Sequence, residues 1–108
     1  MNETSGPVAS VDPNTDPFIL LVEQHRKVRH WSFAELARRG GLTQPEVSRV
    51  IHGIRMPTMR HVRGLAQAFS EAASGTTDEP ADYSQWVSCL VDLADRTRRD
   101  ARAYKETK

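Results

Sequence analysis

Residues 32–53, Ser-Phe-Ala-Glu-Leu-Ala-Arg-Arg-Gly-Gly-Leu-Thr-Gln-Pro-Glu-Val-Ser-Arg-Val-Ile-His-Gly, constrain the fold of this chain more than any other stretch, because they carry start and stop signals for two short helices in succession. Ser32 is placed to accept from the free N–H groups of a first helix, and Glu35 three residues later predicts a capping box. Gly40 and Gly41 end that helix, since glycine takes the left-handed cap conformation at little cost. Thr43 caps a second helix, Pro45 lies in its first turn where a missing N–H is harmless, and Gly53 stops it.

The flanking sequence supplies further helices. Asp16 before Pro17 reads as a cap and a first-turn proline, and Phe18, Leu21, Val22, His25 and Val28 recur at helical spacing, so a helix is expected to about His30. Trp31 is expected to pack as an apolar hinge beside the Ser32 cap. After a turn at Arg55-Met-Pro-Thr58, Thr58 caps a run that sets Met59, Val62, Leu65, Ala66 and Phe69 on one face. Phe33, Leu36, Ala37, Leu42, Val47, Val50 and Ile51 complete the apolar positions for one helical core. Residues 71–82 are small and polar with Gly75 and Pro80, and read as a linker. Beyond them Tyr83 to about Tyr104 forms one longer helix with Trp86, Leu90, Leu93, Ala94, Thr97, Ala101 and Tyr104 on a single stripe. Asp92 with Arg96 and Asp95 with Arg99 are expected i,i+4 ion pairs. Residues 1–16 are polar, broken by Pro7 and Pro13, and are expected to form a disordered tail. The predicted class is all-α: a compact four- to five-helix domain over 17–70, and an additional C-terminal helix within 83–108.

Composition enters where it limits function. At 108 residues and 38% hydrophobic content the chain suffices for one small domain with extensions. It has no apolar run of the ~20 residues a membrane helix needs, and its first residues lack a secretory pattern. The lone Cys89 cannot close an internal disulfide. These features predict a soluble protein of the cytoplasm, associated with the nucleoid. The net charge of +1 conceals a segregation: residues 17–69 carry nine Lys/Arg against three acids, 70–95 six acids and no Lys/Arg, and 96–108 six Lys/Arg against two acids. A basic centre coincident with the two-helix unit is the electrostatic footprint of phosphate contacts.

Two helices joined by a tight glycine turn, the second bearing Gln44, Ser48 and Arg49 on its open side, form the arrangement that lays a helix into the DNA major groove. Residues 18–69 resemble the lambda-repressor-like (XRE/Cro-type) helix-turn-helix family through Phe-Ala-Glu-Leu-Ala-Arg-Arg-Gly-Gly-Leu-Thr-Gln (33–44), Val-Ser-Arg-Val-Ile-His-Gly (47–53) and Arg-Met-Pro-Thr (55–58). The resemblance covers about half the chain. It implies a five-helix globule whose third helix enters the major groove, acting on DNA as a dimer. The DNA-binding set it implies is Ser32, Thr43, Gln44, Pro45, Ser48, Arg49, Arg55 and Arg60. Gln44 can pair bidentately with adenine and Arg49 with guanine, while Arg55 and Arg60 would clamp phosphates. Phe33 stands where family members commonly carry a backbone-touching Gln. Ile51-His52-Gly53 replaces the frequent Glu-Asn-Gly, and Pro45 removes a polar side chain that some relatives use.

Other chemistries find no support. His25, His30, His52 and His61 have no ligand spacing and read as solvated or phosphate-facing, so no metal and no cofactor are expected. Cys89 has no partner base and the glycines form no phosphate loop, so no enzyme is expected. The stripe Trp86, Leu90, Leu93, Thr97 and Tyr104 is expected to be a dimer or partner interface, with packing on its own domain the alternative. The reading that follows is a sequence-specific transcriptional regulator: a repressor binding a near-palindromic duplex site as a homodimer. Its rival is an antitoxin-like or accessory module whose C-terminal helix holds a partner protein.

Overall fold

Each helix begins on a side chain that accepts from its first turn. The computed structural model describes residues 11–75 and 79–106, with side chains to residue 100, and its elements are α1 (Pro17–Val28), α2 (Phe33–Gly40), α3 (Gln44–Ile51), α4 (Met59–Glu71) and α5 (Tyr83–Glu106). Asp16 Oδ2 accepts from the Ile19 N–H at 3.0 Å, Ser32 Oγ from Glu35 at 3.0 Å, and Thr43 Oγ1 from Glu46 at 3.3 Å. Thr58 Oγ1 caps α4, and Asp82 Oδ1 caps α5 through the Gln85 N–H at 2.9 Å. The capping box predicted for Ser32 and Glu35 is only half made. Glu35 turns its carboxylate to Arg38 and Arg39 instead, at 2.5 and 2.6 Å. Full boxes close at Thr43/Glu46 and at Thr58/His61.

Left-handed residues end the first three helices. Gly41 (φ 67°) and Gly53 (φ 76°) do so without strain, whereas α1 stops at His30 with φ 60°, so it is shorter than expected. The core is built from Phe18 and Val22 of α1, Leu36 of α2, Val47 and Val50 of α3, Val62, Leu65 and Phe69 of α4, and Trp86 and Leu90 of α5. Trp31 is buried as a hinge, stacked on Phe69 with ring centroids 6.1 Å apart.

The C-terminal stripe is corrected by this packing. Trp86, Leu90 and Thr97 are 1%, 0% and 1% exposed within their own chain, and Leu93 is half-buried against the same core. Trp86 meets the His25 ring edge-on at 4.9 Å and Phe69 at 5.0 Å. A face so covered cannot also seat a second copy; Tyr104 lies outside the described side chains. The pairs Asp92–Arg96 and Asp95–Arg99 do not form either. Asp95 reaches Arg98, one turn on by i,i+3, at 3.5 Å. The assignment of His25 and His61 as solvated or phosphate-facing is also corrected: both are 4% exposed.

Two polar clasps hold α5 in place. Residues 11–16, expected as part of the disordered tail, form a turn in which the Thr15 and Asp16 N–H groups donate to Asp12 O. The Val11 N–H donates to Gly53 O at 3.1 Å. Asp16 Oδ1 then accepts from the Thr97 hydroxyl at 2.7 Å, a buried bond spanning 81 residues. Residues 1–10 lie outside the described residues. At the other end, the Arg29 guanidinium donates to Ala72 O at 2.7 Å, Phe69 O at 3.2 Å and His25 O at 2.9 Å, and pairs with Glu79. Arg29 and Glu79 side chains are 4% and 8% exposed. Burial pushes the Glu79 carboxyl up, but hydrogen bonds from the Ser74 hydroxyl and N–H, with Arg29 beside it, hold it below the usual carboxylate range. The expected linker is therefore anchored on both sides of residues 76–78, which lie outside the described residues.

Candidate nucleic-acid interface

α3 is only eight residues long, and its two sides differ sharply. Val47, Val50 and Ile51 are buried against the core, while Gln44, Pro45 and Arg49 are exposed and Ser48 is half-buried on the opposite side. Gln44 and Arg49 make no side-chain hydrogen bond or ion pair among the described residues. The sequence-predicted reading edge is thus an open row on a helix whose other side is fixed.

The N-terminus of α3 is held by a knot of polar groups. Glu46 Oε2 accepts from the Thr43 N–H at 2.9 Å, closing the box. The same carboxylate takes Arg60 Nε at 2.8 Å and Arg60 Nη2 at 3.0 Å, and Nη2 also lies 3.4 Å from Gly41 O. The Arg60 guanidinium and the Thr43 N–H together hold the Glu46 carboxyl far below its ordinary range. Arg60, expected to clamp phosphate, already has its charge matched by Glu46, and it ties α4 to the start of α3. His61 Nδ1 accepts from the Thr58 N–H at 3.0 Å, leaving Nε2 3.5 Å from Glu46. Burial lowers the His61 pKa despite this neighbour.

The far end of α3 is closed by its own backbone. Arg49 O accepts from Ile54 N at 2.9 Å and Arg55 N at 3.2 Å, and Gly53 N donates to Val50 O at 3.1 Å, a Schellman closure. This turn folds residue 55 back beside the last turn of the helix. Arg55 is exposed with no partner among the described residues. Ser48 Oγ stands 3.2 Å from His52 Nδ1, and the His52 ring meets the edge of Phe33 with centroids 5.7 Å apart. The Arg26 guanidinium lies over the Phe33 ring at 4.7 Å. Phe33 therefore joins the first turn of α2 to the last turn of α3 by packing. Ser32, placed in the DNA-facing set, is exposed with its hydroxyl engaged in the helix cap.

The structure thus groups Thr43, Gln44, Pro45, Ser48, Arg49 and Arg55 along one helix and the turn that follows it, with Ser32 at the start of α2 and Arg60 at the back of the knot. Sequence reasoning passed over Glu46, although Thr43-x-x-Glu46 is a legible capping box. It also passed over the Phe33–His52 contact, which no local spacing announces. Among the described residues no helix is long and apolar enough to cross a membrane.

A helix-turn-helix family model matches residues 22–71, a span that runs from within α1 to the last residue of α4. No curated protein and no solved structure gives a significant match. Over residues 22–71 the chain matches the lambda-repressor-like helix-turn-helix family, whose members are DNA-binding regulators, and the all-α architecture around α2 and α3 agrees with it.

Proposed function

We propose that this protein is a sequence-specific transcriptional repressor that places α3 in the major groove of a near-palindromic site as a homodimer. The observation that carries the reading is the open row of Gln44, Ser48 and Arg49 on a helix clamped at both ends, with the Arg55 side chain exposed just beyond it. In this reading Gln44 and Arg49 read base edges, Thr43, Ser48 and Pro45 fit the groove wall, and Ser32 and Arg55 meet phosphates. Arg60 contributes by holding Glu46 and, through its exposed edge, by adding to the positive field.

Two copies are argued from energy. One bidentate base contact discriminates by ~1–3 kcal/mol, so the two that Gln44 and Arg49 offer reach only the lower part of the ~4–10 kcal/mol that separates specific from non-specific binding. A second half-site one helical turn away, ~34 Å, doubles the contacts. The rival reading, capture of a partner protein by the Trp86 stripe, is not favoured by a stripe that is already buried.

The test is binding to duplexes selected from a random pool. Arg49→Ala should relax the preference at one base position by about 1–3 kcal/mol. Arg55→Ala should weaken all duplexes alike and flatten the salt slope by about 0.9 per lost phosphate contact. Equal affinity of wild type and both variants for every duplex would overturn the reading.

A further inference from the structure

We infer that the basic end of α5 is a second DNA-binding surface, contacting backbone phosphates outside the segment read by α3; this rests on the reading just given. The placement follows from contacts already described. Gly53 closes the turn that carries Arg55, Val11 is bonded to Gly53, and Asp16 is bonded to Thr97 of α5 at 2.7 Å. Five residues reach at most ~18 Å when extended, and the turn at 12–16 shortens this. Thr97 is therefore tied, through residues 11–16, to the turn that ends the recognition helix. From there α5 continues to Glu106, about 14 Å further at 1.5 Å per residue.

Arg96 and Arg99 are exposed and make no hydrogen bond or ion pair among the described residues, the expected pairs with Asp92 and Asp95 being absent. Asp95 is occupied by Arg98, and Asp100 stands one turn from Arg96 without pairing to it. Arg102 and Lys105 continue the basic run in sequence along the same helix. Arg96 and Arg99 are neighbours at i,i+3, and exposed cations on a helix tied to the turn that carries Arg55 are complementary to a duplex backbone. The acids of α5, Asp92, Asp95 and Asp100, leave the balance positive only beyond Thr97, the residue bonded to Asp16. Phosphate contacts of this kind add affinity without sequence preference.

The experiment compares the full chain with Arg96→Gln/Arg99→Gln, both at exposed positions, on a selected duplex with long and with trimmed flanks. An Arg102→Gln/Lys105→Gln variant serves as an independent probe of the same basic helix end. Expected for each double variant is a salt slope lower by about 1.8, and roughly tenfold weaker binding to the long duplex. The ranking among base sequences should be unchanged, and trimming the flanks should weaken wild type more than either variant. Unchanged slope and affinity in both double variants, while Arg49→Ala and Arg55→Ala still impair binding, would overturn this inference and leave the regulator reading standing. Absence of duplex binding by wild type would overturn both.

Discussion

Gly64 sits in the middle of α4 for want of space rather than for its backbone freedom. A Cβ there would lie 2.6 Å from Gly40 O, 2.9 Å from Leu42 Cγ and 3.0 Å from Leu42 Cδ1, and a Cβ on Gly40 would lie 2.6 Å from Gly64 O. The two helices cross backbone to backbone, and the crossing fixes how α2 and the turn at Gly41 sit on α4. Replacement of a helical glycine by alanine ordinarily stabilises by up to ~1 kcal/mol through propensity. Here overpacking against a carbonyl reverses the sign, so Gly64→Ala should destabilise by about 1–3 kcal/mol, read as a lower urea midpoint at unchanged slope. A midpoint at or above wild type would show that α2 can shift aside freely.

An eight-residue helix such as α3 does not form alone in water, where ~12–15 residues are marginal even for good helix formers. It exists because both ends are closed and one face is buried. Thr43→Ala should remove the acceptor for the Glu46 N–H and cost about 1 kcal/mol of stability. Amide exchange should report the loss first in residues 44–47, and duplex affinity should fall more than global stability does. Equal protection of those amides in variant and wild type would contradict the cap's role. At this scale the sequence was readable: Asp16-Pro17, Ser32, Thr43, Gly41 and Gly53 each act on residues three to five away, so their chemistry is visible in a short window. The exposed edge of α3 followed from the same local periodicity. What failed locally was the choice among partners, since Glu35 had Arg38 and Arg39 within reach as well as the Ser32 N–H.

Across the whole molecule the illegible interactions are those that join distant segments. Nothing in a short window tells that Thr97 would seek Asp16, that Arg29 would be buried against Glu79, or that Gly64 would meet Gly40. The apolar stripe of α5 was visible, but not which surface it would cover, because a stripe that pairs with a second copy and one that closes its own core have the same period. Two buried histidines, His25 under Trp86 of α5 and His61 beside Glu46 of α3, set a pH dependence. Burial, with Arg29 beside it, lowers the His25 pKa against a smaller opposing effect of Glu79, and burial lowers that of His61. A base with a depressed folded pKa binds its proton more readily when unfolded, so stability is full above ~6.5 and falls as the pH drops through the folded values. Glu79, held below its ordinary range, adds a further loss under ~4.5. Protonation of His61 at Nδ1 would also break the bond from the Thr58 N–H. The urea midpoint should therefore be lower at pH 5.5 than at pH 8. His61→Gln, which keeps a capping-box side chain, should reduce that difference; an undiminished difference would rule out His61 as a contributor.

The burial of Trp86 has a practical corollary for anyone wishing to work with the reading half alone. Cutting the chain before Asp82 would strip the cover from the His25 and Phe69 rings and leave the buried Asp16 carboxylate without the Thr97 hydroxyl. Such a fragment would be sticky and poorly folded, and its failure on DNA would say nothing about operators. Dissection of this protein has to proceed by point changes on an intact chain.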